Sequence, residues 1–223
     1  MKYKNVKIIP SLLSMDLSCM KDSLKKIPLS ADMLHLDVMD GHYVDNITFG
    51  PVFLKNLRKI TKRKIDAHLM ITDPEKYFID FIDAGADLIS FHPETSSNPL
   101  NLIKKIKNKN VKAGLALNPN IDCKTIDRYL KHIDYVLVMS VFPGFAGQGF
   151  IESVLEKVKY FKSMQKKHSF RIEIDGGINE ITGKAAIESG AEWIVTGSYL
   201  FGGRSVKNNI ERILYDPQVY RSN

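Results

Sequence analysis

The chain has 223 residues, 44% of them hydrophobic, and carries a formal net charge of +7. A chain of this length can bury a sizeable core, and it fits either two small domains or one α/β barrel. Because no low-complexity or Ser/Gly/Pro-rich stretch divides it, we expect a single catalytic domain over residues 1–223. The apolar part of the N-terminus is too short for a signal peptide, and no segment approaches the roughly 18 apolar residues of a membrane helix.

The lysines that produce the positive charge are spread over several short runs, such as "SLKKI", "RKITKRK" and "LIKKIKNKN". Few aromatic residues lie between them, so solvated helix faces explain these runs better than a nucleic-acid surface does. Steering of a phosphorylated substrate is the remaining alternative. The two cysteines, Cys19 and Cys123, lie far apart and outside any CxxC motif. We therefore expect a reduced, cytoplasmic protein that binds neither nucleic acid nor membranes.

Eight short runs rich in β-branched and aliphatic residues alternate with helical patterns along the chain. In one such pattern, "DPEKYFIDFIDAGA", Pro74 suits the first helical position and Gly85 ends the helix. Tyr77, Phe78 and Phe81 form its predicted apolar face. Eight strand–helix units in this length predict a parallel sheet closed into a single (β/α)8 TIM barrel of the α/β class, and a doubly wound open sheet is the alternative. In chain order, the predicted strands are "VKIIPSLL", "DMLHLDV", "IDAHLM", "DLISFH", "KAGLALN", "YVLVMS", "RIEIDGG" and "EWIVTG".

The second predicted strand carries His35 and Asp37 within an otherwise apolar run. Side chains alternate faces along a strand, so His35, Asp37 and Met39 share one face. Burying an imidazole and a carboxylate without partners costs several kcal/mol. A salt bridge, a hydrogen-bond network or a metal ion must therefore compensate them.

Polar residues and glycines recur at the carboxyl ends of the predicted strands. In barrels of this kind these ends converge on one mouth, where the chemistry takes place. His35, Asp37, His68 and Asp175 supply a coherent ligand set for a divalent transition metal, and a buried ion-pair network is the alternative. The other residues at strand ends, which also suit ordinary loop caps, are Ser11, His92, Asn118, Ser140, Gly197 and Ser198.

Glycine-rich segments follow the last three predicted strands: "VFPGFAGQGF" at residues 141–150, "DGGIN" and "TGS". Their backbone N–H groups suit a phosphate dianion, and the loops after strands 7 and 8 are the usual phosphate position in this fold. Tight turns are the plainer explanation of the same glycines. A metal on one side and a phosphate cradle on the other would frame a small sugar phosphate.

Six motifs closely resemble those of the ribulose-phosphate 3-epimerase family, which includes the allulose 6-phosphate 3-epimerases: "PSLLSMD", "HLDVMDGHYVDNITFGP", "DAHLMITDPEKY", "LALNP", "VLVMSVFPGFAGQGFI" and "EIDGGIN". The resemblance runs from about residue 7 to residue 203 and implies a homo-oligomer. It implies that His35, Asp37, His68 and Asp175 bind one divalent transition metal ion (Zn, Fe, Mn or Co). It also makes Asp37 and Asp175 the acid/base pair. The positions that match the family's substrate contacts are Ser11, Met39, His68, Met70, Met139, Gly144, Phe145, Ala146, Gly147, Gly176, Gly177, Gly197 and Ser198.

The reaction that this resemblance implies inverts C3 of a ketose phosphate, from D-ribulose 5-phosphate to D-xylulose 5-phosphate. Removing the C3 proton produces an enediolate, whose negative charge a metal ion stabilises as a Lewis acid. Inversion requires one carboxylate to remove the proton and a second to deliver one from the opposite face, which suits Asp37 and Asp175. Met39, Met70 and Met139 would flank the enediolate without donating protons, and core packing is their alternative role.

Several alternatives stay open at this point. D-allulose 6-phosphate, converted to D-fructose 6-phosphate, is the second candidate substrate: "FHPET" and "GFAGQ" resemble that branch, whereas "TFGP" and "DGGIN" resemble the ribulose branch. Ala146 replaces a glycine of many family members and would be strained at positive φ. The other classes are a metal-free sugar-phosphate lyase, whose strand-end lysine is missing here, and a non-catalytic phosphate-binding module. The sequence leaves the roles of His92 and Glu94 open.

Overall fold

The computed structural model describes residues 5–203 and 205–214. Eight β-strands alternate with helices throughout this part of the chain. Each corresponds to one of the eight predicted runs, and β2 and β3 each extend one residue beyond the run. The strands are β1 (Lys7–Pro10), β2 (Met33–Met39), β3 (Lys64–Met70), β4 (Leu88–Phe91), β5 (Lys112–Leu117), β6 (Tyr135–Met139), β7 (Arg171–Asp175) and β8 (Trp193–Thr196).

All neighbouring strands pair in parallel, in the order β1-β8-β7-β6-β5-β4-β3-β2. A further parallel bridge joins Ser11, just after β1, to His35 in β2, so the two edges of the sheet meet. The prediction of a (β/α)8 barrel is confirmed, and this meeting of the edges excludes the open sheet. The carboxyl ends of all eight strands therefore surround one mouth.

Helices cover the outside of the barrel. The connection after β5 contains a 3₁₀ helix, Cys123–Tyr129, where the other connections carry α-helices. Short 3₁₀ turns also precede α1, α4 and α5, at Leu12–Ser14, Leu17–Cys19, Pro93–Thr95 and Glu152–Val154. The α-helices are α1 (Met20–Lys26), α2 (Pro51–Leu57), α3 (Pro74–Ala84), α4 (Pro99–Lys107), α5 (Leu155–Met164), α6 (Glu180–Ser189), α7 (Ser198–Phe201) and α8 (Val206–Leu214).

Helix α3 has the start and end that its sequence predicts. Pro74 is its first residue, and Gly85 caps it with φ 110°, in the left-handed region that favours glycine. Phe78 and Phe81 are buried in the core. The assignment of Tyr77 to the buried face is wrong: its side chain is 38% exposed, with the Lys76 ammonium 4.9 Å from its ring centroid.

The inward and outward faces of the strands carry separate cores. On β2, Leu34, Leu36 and Val38 belong to the large apolar cluster that strands and helices share, whereas His35 and Asp37 lie buried on the opposite face. A smaller cluster fills the inside of the barrel with Ile9, Met33, Leu88, Tyr135, Trp193 and Val195. The predicted alternation along β2 is therefore confirmed.

Gly114 on β5 allows the Tyr135 ring to lie inside the barrel. A Cβ at position 114 would lie 2.5 Å from Tyr135 Cζ, which is closer than real Cβ contacts. Tyr135 is fully buried and packs at 5.5 Å from the Trp193 ring. The missing side chain at position 114 thus sets where the Tyr135 hydroxyl lies.

The expected single domain over residues 1–223 stays a prediction, because residues 1–4, 204 and 215–223 lie outside the described residues. Cys19 and Cys123 are both free. Among the helices of residues 5–203 and 205–214, none combines the length and the apolar character needed to cross a membrane.

Candidate active site

The four residues predicted to bind a metal converge at the mouth of the barrel. His35 and Asp37 lie on β2, His68 on β3, and Asp175 is the last residue of β7. One ligand atom from each of the four lies within 4.8 Å of the others. Both imidazoles and Asp37 are buried, and the Asp175 side chain keeps 15% exposure. Asp175 is therefore the member most open to a substrate.

Asp37 is the centre of this cluster. Its Oδ2 accepts a hydrogen bond of 2.6 Å from the Ser11 hydroxyl. Its Oδ1 lies 3.3 Å from His35 Nε2 and 3.7 Å from His68 Nδ1. Asp175 Oδ2 lies 3.9 Å from the same His35 Nε2. The carboxylate of Asp37 is thus fixed by Ser11 on one side and faces both imidazoles on the other.

The environment separates the pKa values of the two carboxyl groups. Burial opposes ionisation of Asp37, but the charge of His35 and the contacts with both histidines outweigh it and hold the Asp37 pKa well below its usual range. Burial, and then the negative charge of Asp37, raise the pKa of Asp175 to about 7. Near neutral pH, one group is therefore ionised while the other can hold a proton, the pattern expected of an acid/base pair.

The donor set fits a divalent transition metal. His35 Nε2 and His68 Nδ1 are buried and have no hydrogen-bond partner, which is costly for a polar atom unless a ligand supplies the missing contact. Both atoms face Asp37, and two imidazole nitrogens with two carboxylates form a set that suits zinc, iron, manganese or cobalt. The buried ion-pair network predicted as an alternative brings both nitrogens within 3.3–3.7 Å of Asp37 Oδ1 but leaves them without a hydrogen bond.

A second group of buried polar side chains, which was not predicted from the sequence, lies on the far side of His35. Asp66 Oδ2 lies 2.8 Å from His35 Nδ1, and Asp66 Oδ1 accepts a hydrogen bond from the Tyr135 hydroxyl. Glu173 Oε1 lies 3.7 Å from His35 Nδ1, with both oxygens unpaired. Burial and the charge of Asp66 raise the Glu173 pKa well above its usual value. The sequence does contain a signal: in "IDAHL" and "EID", an acid precedes the ligand by two positions, on the same face of the strand.

His92, whose role the sequence left open, is fully buried beside His68. The Nε2 atoms of the two rings lie 3.0 Å apart, and the Tyr43 ring packs on His92 at 4.9 Å. Burial and the neighbouring His68 lower the His92 pKa well below 6.5. Glu94 accepts a hydrogen bond from the Tyr43 hydroxyl and another from Asn118 Nδ2, which closes a polar network above His92.

All the residues predicted to contact the substrate except His68 line one cavity above the cluster, together with Asp37 and Asp175. His68 is fully buried below this cavity. No lysine lines it among the described residues, which disfavours the lyase alternative. The predicted residues in its lining are Ser11, Met39, Met70, Met139, Gly144, Phe145, Ala146, Gly147, Gly176, Gly177, Gly197 and Ser198.

The loop after β6 has the backbone that its glycines permit. Gly144 and Gly147 have φ of 132° and 78°, whereas Ala146 has no positive φ. The strain considered for Ala146 is therefore absent. Gln148 Nε2 donates to the carbonyl oxygens of Phe142 and Phe145 and holds the loop closed.

The loop after β7 also requires glycine. Gly176 and Gly177 have φ of 116° and 63°, and a Cβ on Gly177 would lie 2.6 Å from the Phe150 nitrogen. The backbone N–H groups of Gly177, Gly197 and Ser198 donate to no other group within residues 5–203 and 205–214. These N–H groups can therefore bind an anion at the rim of the cavity.

The fold and this site together define a (β/α)8 barrel enzyme with a metal-compatible His/Asp cluster and a glycine-lined cavity. The model of the ribulose-phosphate 3 epimerase family matches residues 7–201. The chain is 42% identical to the ribulose-phosphate 3-epimerase of Bacillus subtilis, over 93% of this chain and 98% of that protein. It is 41% identical to the enzyme of the same name from Aquifex aeolicus, over 92% and 94% of the two chains.

The chain belongs to the ribulose-phosphate 3-epimerase family and is therefore an isomerase, which confirms the resemblance found in the sequence. Solved structures with lower identity share its fold. The 3-hexulose-6-phosphate synthase of Salmonella typhimurium matches with a TM-score of 0.68 and 20% identity, over 93% of this chain and 96% of that one. A mutant tryptophan synthase alpha-subunit from Pyrococcus furiosus matches with a TM-score of 0.69 and 13% identity, over 95% and 99%.

Proposed function

We propose that this protein interconverts D-ribulose 5-phosphate and D-xylulose 5-phosphate by inverting the configuration at C3. The observation that carries the proposal is the pair of carboxyl groups, Asp37 and Asp175, with opposite pKa shifts at one cavity. The full-length similarity to ribulose-phosphate 3-epimerases supports the choice of substrate.

In this proposal, the two carboxyl groups exchange protons with C3 from opposite faces. One removes the C3 proton as a carboxylate, and the other delivers a proton from the far side, so the configuration inverts. Ser11 holds the Asp37 carboxylate in place through its 2.6 Å hydrogen bond. Asp175, with a pKa of about 7, can carry the second proton near neutral pH. A single carboxylate would return its proton to the face from which it came.

A divalent metal ion would be held by His35 Nε2, His68 Nδ1 and one oxygen each of Asp37 and Asp175. When bound, such an ion supplies Lewis-acid stabilisation of negative charge that develops on the substrate oxygens. The methionines Met39, Met70 and Met139 close the cavity with side chains that donate no protons. The enediolate would therefore meet few groups that could protonate it at the wrong position.

The substrate phosphate would bind at the rim formed by the loops after β7 and β8. Gly177, Gly197 and Ser198 offer backbone N–H groups there, and the glycines let the chain approach the anion closely. The loop of residues 142–148 lies over the same cavity and would cover the bound sugar phosphate.

Metal analysis combined with activity measurements tests the proposed cofactor. We expect the purified protein to contain about one divalent transition metal per chain, and activity to disappear with a chelator and return with metal. His68→Ala should lower the metal content more than it lowers the unfolding temperature. A protein without bound metal whose activity does not respond to added metal would contradict this part of the proposal.

A comparison of two substrates tests the proposed sugar. D-allulose 6-phosphate has one more carbon before its phosphate, roughly 1.3–1.5 Å of extra reach. Because a misplacement of about 1 Å can cost on the order of a hundredfold in rate, we expect kcat/KM for D-ribulose 5-phosphate to be at least about tenfold higher. A tenfold preference for the longer substrate would reassign the reaction.

A cytoplasmic location and assembly into a homo-oligomer complete the proposal. The free cysteines are compatible with a reducing compartment. Sedimentation of the purified protein measures its oligomeric state.

A further inference from the structure

Each of the two imidazoles in the cluster has one nitrogen toward Asp37 and the other toward a buried partner. His35 Nε2 and His68 Nδ1 are the unpaired atoms that face Asp37. The opposite nitrogens, His35 Nδ1 and His68 Nε2, lie within hydrogen-bond distance of Asp66 and His92. The nitrogen that faces the cluster thus differs between the two rings.

An ionised Asp66 carboxylate has no proton to donate, so toward His35 it can only accept a hydrogen bond. Its Oδ2 lies 2.8 Å from His35 Nδ1, so the proton of the ring belongs on Nδ1. Tyr135 donates to Oδ1 of the same carboxylate, so both oxygens are engaged and the group cannot easily rotate. With Nδ1 bound to Asp66, Nε2 is the nitrogen that can give up its proton and offer its lone pair to a metal ion.

His92 occupies the corresponding position beside His68. Two neutral imidazoles 3.0 Å apart require one N–H donor and one acceptor. If His68 donates from Nε2, its Nδ1 lone pair is free to face Asp37. His92 would then carry its own proton on Nδ1, which lies 3.7 Å from Glu94 Oε1. Packing of the Tyr43 ring against His92 fixes the ring plane.

We propose that Asp66 and His92 are positioning residues that select the metal-binding nitrogens, His35 Nε2 and His68 Nδ1. Each accepts the N–H of one imidazole and so sets its tautomer and its orientation. The inference rests on the proposed metal-dependent function, and it assigns a role to two residues that touch neither the cavity nor the substrate. Partners of this kind change metal affinity about 10–100-fold when they are removed.

Glu173 is the alternative partner of His35. It is equally buried, but its Oε1 lies 3.7 Å from His35 Nδ1, compared with 2.8 Å for Asp66. Neither Glu173 oxygen has a hydrogen-bond partner. The distances assign the positioning role to Asp66 and make Glu173 the matched control.

Zinc affinity of paired variants tests the proposal. At each position, one variant removes the acceptor (Asp66→Leu, His92→Phe) and one keeps an acceptor oxygen (Asp66→Asn, His92→Gln). We expect the acceptor-free variants to raise the Zn²⁺ dissociation constant about 10–100-fold, measured by competition with a chromophoric chelator. The acceptor-keeping variants should stay within about tenfold of wild type, and Glu173→Gln within about threefold.

Folding of every variant is followed by its unfolding midpoint, and Tyr135→Phe replaces any Asp66 variant that does not fold. Tyr135→Phe removes only the hydroxyl that donates to Asp66, and we expect about three- to tenfold weaker Zn²⁺ binding. Wild-type affinity in the acceptor-free variants would overturn the proposal, as would equal losses in the paired variants or a larger loss in Glu173→Gln than in Asp66→Leu. A wild-type protein that binds no Zn²⁺ would instead contradict the proposed function, and the inference with it.

Discussion

Asp37 and Asp175 are the same chemical group in two different electrostatic settings. Asp37 faces two imidazoles and accepts a short hydrogen bond from Ser11, which favours its ionised form. Asp175 lies farther from His35, at 3.9 Å, and burial together with the negative charge of Asp37 raises its pKa to about 7. The difference arises from neighbours that separate strands supply, and it suits one group to act as the base and the other as the acid in the proposed reaction.

Asp175→Asn should abolish turnover while the fold stays intact. The substitution removes a proton carrier and the charge of a proposed ligand with almost no change in volume. We expect kcat to fall at least about a thousandfold, measured by steady-state kinetics with added metal. Glu173→Gln replaces a buried carboxyl group two positions earlier on β7, outside the cavity, and should keep kcat within about threefold. If Asp175→Asn retained a tenth of wild-type activity, the two-carboxylate assignment would be wrong.

Metal affinity should fall as the pH falls below 7. A ligating carboxylate must be ionised, and the pKa of about 7 means that Asp175 increasingly binds a proton below this pH. From this group alone we expect the apparent affinity to drop about fivefold between pH 7 and pH 6, and about tenfold more between pH 6 and pH 5. Chelator competition at several pH values measures it. A flat profile over this range would show that Asp175 does not lose a proton on metal binding.

At the residue scale, the sequence pointed to the proposed ligands more clearly than to the residues behind them. Asp175 ends β7, Asp37 and His68 lie near the carboxyl ends of β2 and β3, and His35 lies two positions before Asp37 on the same face. Asp66 and Glu173 lie deeper in the barrel, on β3 and β7. Only the alternation of side chains along a strand, which puts them on the same face as His68 and Asp175, relates them to the site. Pairing of Asp66 with Tyr135 joins residues 69 positions apart, and no local pattern predicts such a contact.

At the element scale, the loop of residues 142–148 connects the backbone to the choice of substrate. Gln148 ties its two sides together through the carbonyl oxygens of Phe142 and Phe145. Asn46, in the loop after β2, donates to the Gly144 carbonyl oxygen and joins two strand ends. In the proposed reaction, these contacts would hold the loop at a fixed height above the carboxylates and so favour one substrate length.

Gln148→Ala should weaken the discrimination between the two ketose phosphates. Without its two hydrogen bonds the loop can adjust to a longer substrate, and we expect the ratio of the two kcat/KM values to fall below about threefold. Gln165→Ala is the control, because Gln165 also donates two hydrogen bonds, to Phe170 and Glu192, away from this cavity. An unchanged ratio in Gln148→Ala would mean that other contacts fix the loop.

Strands and helix ends were predictable because local chemistry determines them. Hydrophobic runs gave all eight strands, and Pro74 and Gly85 marked both ends of α3. The exposed side of Tyr77 was not predictable, because Phe78 and Phe81 already fill the space against the core. Likewise, the negative φ of Ala146 depends on Gly144 and Gly147, which take the left-handed conformations of this loop.

At the scale of the whole molecule, the polar groups inside the barrel should make the metal-free protein less stable at alkaline pH. The pKa values of Glu173 and His35 are raised well above 4.5 and 6.5 in the folded protein. Burial and the negative charge of Asp66 raise the pKa of Glu173. For His35, burial lowers the pKa, but the neighbouring acids, Asp37 above all, outweigh this effect and raise it. The folded chain therefore binds more protons than the unfolded chain above pH 6.5, so its stability falls as the pH rises.

His68 and His92 affect stability in the opposite direction. Their pKa values are lowered in the folded protein, so the folded state gains stability as the pH rises toward 6.5. Above that pH their contribution is constant. We therefore expect the unfolding temperature of the metal-free protein to be lower at pH 8.5 than at pH 6.5, measured by calorimetry. Glu173→Gln, which removes one of the groups that must ionise, should reduce this decline. A rising unfolding temperature over the same range would contradict the assignment of protons.

The close packing of Gly114 against Tyr135 has a consequence for how this enzyme tolerates mutation. Gly114→Ala would displace the Tyr135 ring, at a cost of about 1–3 kcal/mol, and withdraw its hydroxyl from Asp66. We expect weaker Zn²⁺ binding as well as a lower unfolding temperature, both measured on the purified variant. A genetic selection for activity would then score position 114 as intolerant, although it touches neither metal nor sugar. A map of essential positions from such a selection would extend down into the interior of the barrel, and it would overstate the size of the substrate site.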